Sequence, residues 1–255
     1  MGHRRRPLAA LVLSVVATLA VVGCSSGGDD DGAGTTTTTS ATAATTTPAT
    51  TDGGSAAGGW AGEYRIVGRN PDGSRYHGDL VIEGDDDGAL ALDWDTNGTY
   101  QGVGVADGDV LASTHGDEAD QCNAAAYKIG VGGRLDARWV SADGRGPTTE
   151  AAAPVVPGPP GVVGTYAIEG VNADGRAYSG SMDVVATGAA FEVTRQVGGI
   201  LVQGSALQVG DVLAAGFGDE TCAVVAYHQR ADGKLDGTWG AVRVQNPGTE
   251  RATPR

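Results

Sequence analysis

Tyr76-His77-Gly78-Asp79-Leu80-Val81-Ile82-Glu83 puts Tyr76, Gly78, Leu80 and Ile82 on one face and His77, Asp79, Val81 and Glu83 on the other. A period of two marks a half-buried β-strand, because successive side chains of an extended chain point to opposite sides. The pattern returns a hundred residues on. There Tyr178, Gly180, Met182 and Val184 oppose Ser179, Ser181, Asp183 and Val185. Leu90, Leu92 and Trp94 alternate with Ala91 and Asp93, and Leu135, Ala137 and Trp139 with Asp136 and Arg138. Helical spacing is found nowhere in these regions.

The recurrence is general. Gly108-Asp109-Val110-Leu111-Ala112 matches Gly210-Asp211-Val212-Leu213-Ala214, and Gly133-Arg134-Leu135-Asp136 matches Gly233-Lys234-Leu235-Asp236. Cys122 matches Cys222, Trp139 matches Trp239, and Thr149-Glu150 matches Thr249-Glu250. Order is kept and the offset drifts only between 102 and 100, so the chain is an internal duplication.

Turn chemistry separates the alternating runs. Pro71-Asp72-Gly73, Asn97-Gly98, Asp107-Gly108, Asp174-Gly175 and Asp232-Gly233 are hairpin signals, since Gly and Asn tolerate positive φ. About eight short strands result per copy, near 62–67, 74–83, 88–95, 99–105, 109–115, 121–129, 134–140 and 148–152 in the first. Their short connections predict an antiparallel meander that removes its edges by closing. The expected fold class is all-β: two tandem meander β-barrels, with small β-sandwiches as the alternative. The expected boundaries are 60–152 and 162–252, joined by a Pro-rich spacer at 153–161.

The N-terminus is of another kind. Arg4-Arg5-Arg6 precede an apolar run from Leu8 to Val22, the layout of a secretory signal peptide over residues 1–23. The run ends Val21-Val22-Gly23-Cys24, which resembles the bacterial lipobox. The resemblance implies cleavage before Cys24, acyl chains such as palmitate on its thiol, and a place on the extracytoplasmic face of the cell membrane. Residues 24–59 are a Thr/Ala/Gly-rich linker with almost no apolar bulk, predicted to be disordered.

The chain as a whole has a net charge of −14, and loss of Arg4, Arg5 and Arg6 with the signal peptide makes the mature form −17. An acidic surface repels phosphate backbones, so nucleic acid is excluded as a partner of the folded part. The expected role is a binding or adhesion module, with a structural envelope protein without a specific ligand as the alternative, and the expected partners are the membrane, through the Cys24 lipid, and an envelope, host or small-molecule ligand. A monomer is expected.

The order Asn-x-Asp-Gly, Tyr-x-Gly, Gly-Asp-x-Leu, Cys, Tyr, Gly-x-Leu-Asp-x-x-Trp, Thr-Glu resembles a family of exported bacterial domains that occur singly or in tandem. Some members carry a fibronectin-binding label. The resemblance covers nearly all of 60–252 and supports the fold, but it brings no site residues. The likeness to streptavidin and lipocalins is one of architecture.

Identity between copies tests candidate chemistry, because a shared function needs shared residues. The histidines fail: His77 faces Ser179, His115 faces Phe217, and His228 faces Lys128. A nucleophile–base pair serving both copies is excluded, and neither an enzyme nor a cofactor is expected. Asp85-Asp86-Asp87 and Asp117-Glu118, the latter repeated as Asp219-Glu220, could offer oxygens to calcium. They read better as solvated turn acids, so no metal is expected. Cys122 and Cys222 stand once per copy, so a disulfide could form only between copies. Two buried free thiols are the favoured reading, and a Cys122–Cys222 bridge the other. Tyr64, Tyr76, Tyr166, Tyr178, Trp139 and Trp239 recur at inward positions, as core or as pocket lining.

Overall fold

The computed structural model describes residues 59–84, 88–116, 121–156, 161–219 and 221–255. The signal segment, Cys24, the linker up to residue 58, Asp85–Asp87, Asp117-Glu118 and Glu220 lie outside these.

Sixteen strands form two closed antiparallel barrels of eight among the described residues. The first repeat supplies β1 (Gly62–Arg69), β2 (Arg75–Gly84), β3 (Ala89–Asp95), β4 (Thr99–Asp107), β5 (Val110–His115), β6 (Asn123–Ile129), β7 (Leu135–Val140) and β8 (Thr148–Pro154). The second supplies β9 (Gly164–Val171), β10 (Ala177–Thr187), β11 (Ala190–Val197), β12 (Ile200–Val209), β13 (Val212–Gly218), β14 (Ala223–Gln229), β15 (Leu235–Ala241) and β16 (Gly248–Pro254).

The barrels do not coincide with the repeats. Barrel one consists of β1–β5 and β14–β16, and barrel two of β6–β13. The expected boundaries, one barrel over 60–152 and the other over 162–252, are corrected: the chain passes from one barrel to the other between β5 and β6 and again between β13 and β14. The ladders give the reason. β5 pairs with β14 from Val110↔His228 to His115↔Ala223. β13 pairs with β6 from Val212↔Lys128 to Phe217↔Asn123. The two registers are equivalent, so a β5-type strand offers the same edge to the following strand of either repeat. Alternation cannot tell these partners apart.

Cys122 and Cys222 sit just before β6 and β14, where the chain crosses between barrels, and they form a disulfide with Cα atoms 5.6 Å apart. The preference for free thiols is corrected. Both cysteines are buried as expected, but β6 and β14 each cross to the other barrel in an equivalent register, and the residues that lead into them meet. Around them the barrels share a wall of small apolar side chains. Val105, Ala112 and Val224 of barrel one pack with Ala124, Ala126 and Ala214 of barrel two. Small residues let the two sheets approach closely, and strands such as β5, β6 and β13 are consequently buried on both faces.

Each barrel has its own core. Ile66, Leu80, Ile82, Leu90, Leu92 and Leu111 fill barrel one, and Leu135, Ile168, Met182, Val184, Val193 and Leu213 fill barrel two. Removing one such side chain to Ala costs about 2–5 kcal/mol in a packed core. Gly78 and Gly180 stand in the inward phase because a Cβ there would collide with the backbone carbonyl of Asp95 or of Gln196 in the next strand. Small residues at these points let the sheet coil tightly enough to close. One end of each barrel is sealed: Tyr64 donates to the Trp60 carbonyl at 2.8 Å, and Tyr166 to the Val162 carbonyl at 2.8 Å.

Candidate binding site

The other end of each barrel is its mouth, and there each barrel buries one carboxylate. Glu250 of β16 is 7% exposed and Glu150 of β8 is 3% exposed. Strand alternation puts them inside, in phase with Ala252 and Ala152, which are fully buried. A buried carboxylate without donors would cost several kcal/mol, so what surrounds it defines the site.

In both barrels two tyrosines hold the acid. Tyr76 donates to Glu250 Oε2 at 2.8 Å and Tyr227 donates to Oε1. In barrel two Tyr178 donates to Glu150 Oε2 at 2.7 Å and Tyr127 to Oε1 at 2.5 Å. Because strands are exchanged, each set mixes repeats: Tyr76 comes from the first, Tyr227 and Glu250 from the second. Trp239 and Trp139 stand beside the acids, and neither indole Nε1–H has an acceptor although both atoms are buried.

The mouths differ elsewhere. Trp94 lies opposite Leu80 and Tyr100, and Arg195 opposite Met182 and Val202, so Trp94 and Arg195 occupy the same barrel position. Arg195 makes an ion pair with Glu150. Its guanidinium lies 5.0 Å from the centre of the Phe217 ring and 5.9 Å from that of Tyr178. In barrel one Trp94 donates instead to the Tyr227 hydroxyl at 2.9 Å. His115 takes the place of Phe217 and packs between Trp94 and Tyr100, with ring centres 5.3 and 5.0 Å away. No lysine or arginine among the described residues pairs with Glu250.

The electrostatics follow. Burial pushes the Glu250 carboxyl above the ordinary carboxylate range, against the pull of the Tyr227 and Tyr76 hydrogen bonds. Burial and the neighbouring carboxylate push the phenols of Tyr76 and Tyr178 up, so both remain donors. For Arg195 burial works against the charge, and the tyrosines and Glu150 outweigh it, so the guanidinium is held protonated.

The space differs too. Tyr76, Trp94, Tyr100, His115, Trp239 and Glu250 line a pocket of about 250 Å³ at the mouth of barrel one. Its counterpart, lined by Tyr127, Trp139, Arg195 and Phe217, is about 120 Å³. Larger concavities of about 960 and 630 Å³ are wide grooves on the outer walls, bordered by outward side chains such as Asp136, Ser179 and Arg251.

Of the sequence candidates, Tyr76, Tyr178, Trp139 and Trp239 come together at the mouths, while Tyr64 and Tyr166 seal the opposite ends. His77 is exposed on an outer wall. His228 Nε2 lies 3.0 Å from Asp109, matching the Lys128–Asp211 pair of barrel two at 2.7 Å. Asp219 caps its own turn, accepting from the backbone N–H and hydroxyl of Thr221 at 2.8 and 2.6 Å. Among the described residues no group of three or more His, Cys, Asp or Glu could hold a metal ion. Glu150 and Glu250 emerge only from the fold. Their sequence signal is an acid in the inward phase of a strand, kept in both repeats.

Comparisons with protein-family models, with curated proteins and with solved structures found no match.

Proposed function

We propose that the protein is an exported lipoprotein, held at the cell membrane by acyl chains on Cys24, whose first barrel binds a small molecule at its mouth. The observation that carries this is the difference between the mouths. Barrel two fills its own with Arg195, whereas barrel one leaves a 250 Å³ pocket walled by aromatic rings around a buried acid. Concave apolar sites with a few convergent polar groups are where small ligands bind. The orphan Trp239 N–H adds a donor that a ligand or a water could satisfy.

Native mass spectrometry of the mature lipoprotein, extracted in detergent, tests the reading. A non-lipid adduct, present in the wild type and lost in Trp239→Phe with Tyr100→Ala, is the expected result. A bare lipoprotein mass after incubation with a small-molecule extract of the producing cells and their medium would overturn the binding reading. Cys24→Ser is expected to move the protein from the membrane fraction to the soluble one.

A further inference from the structure

Barrel two contains a cation in the position where barrel one is open. Arg195 reaches the mouth from β11, packs over two aromatic rings and pairs with an acid held by two tyrosines. Barrel one keeps the acid, both tyrosines and the tryptophan as Glu250, Tyr76, Tyr227 and Trp239. Trp94 stands in the place of the Arg195 cation, Tyr100 in that of Val202, and one ring, His115, in that of another, Phe217.

The geometry points to a small organic cation, an alkyl- or arylammonium or a guanidinium, as the ligand of barrel one, bound with its charge against Glu250 and its body between Trp94, Tyr100 and Trp239. This rests on the reading of that mouth as a binding site. Three features support it. Ring faces attract cations, most strongly when both are desolvated, and tryptophan is the best of them. Glu250 is a buried acid with which no described lysine or arginine pairs, so an arriving cation meets a group able to give up its proton and pair with it. The volume is that of about eight water molecules at liquid density, which admits a head group and a short body but not a peptide or a lipid. The Trp239 N–H is left for a hydroxyl, a carbonyl or a water on the same ligand.

The test is a calorimetric titration of the full mature lipoprotein in detergent with benzylammonium, and in parallel with benzyl alcohol, nearly the same shape without the charge. Saturable binding of benzylammonium, at least tenfold tighter than benzyl alcohol, is expected. Glu250→Gln should remove most of that preference and leave the neutral probe unchanged. Trp94→Arg, which installs the internal cation of barrel two, should abolish benzylammonium binding. Circular dichroism establishes that each variant is folded, and the wild-type comparison decides the question if neither is. Equal affinity for the two probes would overturn the cation assignment and leave the mouth as a site for neutral ligands. No saturable binding of either would overturn both the assignment and the binding reading beneath it.

Discussion

The two barrels share a buried acid, two tyrosine donors and a tryptophan with a free N–H, yet one is closed on itself and the other is not. In barrel two the charge of Glu150 is answered by Arg195, and the mouth shrinks to about 120 Å³. In barrel one Glu250 is answered by the neutral donors Tyr76 and Tyr227, and about 250 Å³ stays open. The difference shows how one inherited arrangement takes two electrostatic forms. One barrel completes an ion pair around its acid, while the other surrounds the same acid with tyrosine donors and aromatic rings. A second contrast lies in chain continuity. Barrel two is one uninterrupted stretch, β6–β13, whereas barrel one is assembled from both ends of the folded chain.

Removing the bridge between the barrels should have the largest effect. Cys122 and Cys222 are 100 residues apart, and a crosslink spanning a loop of that length stabilises by about 4–5 kcal/mol when it acts by restricting the unfolded chain. Cys122→Ala with Cys222→Ala is expected to lower the melting temperature and to split one calorimetric transition into two, the discontinuous barrel one melting first. A single transition would show that the shared apolar wall alone couples the barrels.

Next in size, Arg195→Met would leave Glu150 buried beside hydroxyl donors alone. Stranding one partner of a buried ion pair is strongly destabilising, here by about 3 kcal/mol. Urea denaturation at neutral pH measures it, and a loss below about 1 kcal/mol would mean that the two mouths are electrostatically alike.

The smallest effect should come from Glu250→Gln, within about 1 kcal/mol, since the tyrosines can hydrogen-bond an amide as well as an acid. Its signature is the pH dependence. The folded-state pKa of Glu250 is raised by burial, so the unfolded chain ionises first. The stability that the neutral acid contributes is complete below the unfolded carboxylate value of about 4.3 and is lost as pH rises through the folded value. Thermal melts of the ligand-free protein from pH 4 upward should therefore show the wild type losing stability relative to Glu250→Gln. A wild type that gains on the variant instead would mean that Glu250 is ionised in the empty barrel.

The strands were legible because alternation and turns are local. Tyr76 to Glu83 announces β2, and Asn70–Ser74 announces its hairpin: Gly73 takes φ 86° and Asp72 accepts from the Ser74 backbone N–H at 2.8 Å. The exchange of strands was not legible, since Val110–His115 meets an equivalent edge whichever repeat supplies it. The disulfide was obscured for the same reason, because its geometry depends on that exchange. The candidate site was half visible. The repeated tyrosines and tryptophans stood out, but the equivalence of Trp94 and Arg195 was hidden by a one-residue drift between repeats. Glu150 and Glu250 matched in sequence, yet only closure of the barrel turned them inward beside tyrosines from the other repeat.

The nested order of strands also has a consequence in time. A chain delivered from its N-terminus supplies β6–β13, and with them every strand of barrel two, by residue 218. Barrel one waits for β16, because β1 pairs with it along its length, from Tyr64↔Pro254 to Arg69↔Thr249. β16 thus completes a wall begun at residue 62. A stop codon just ahead of β16 would therefore leave barrel one without its closing strand, and the pocket beside Glu250 with it, while leaving every strand of barrel two complete.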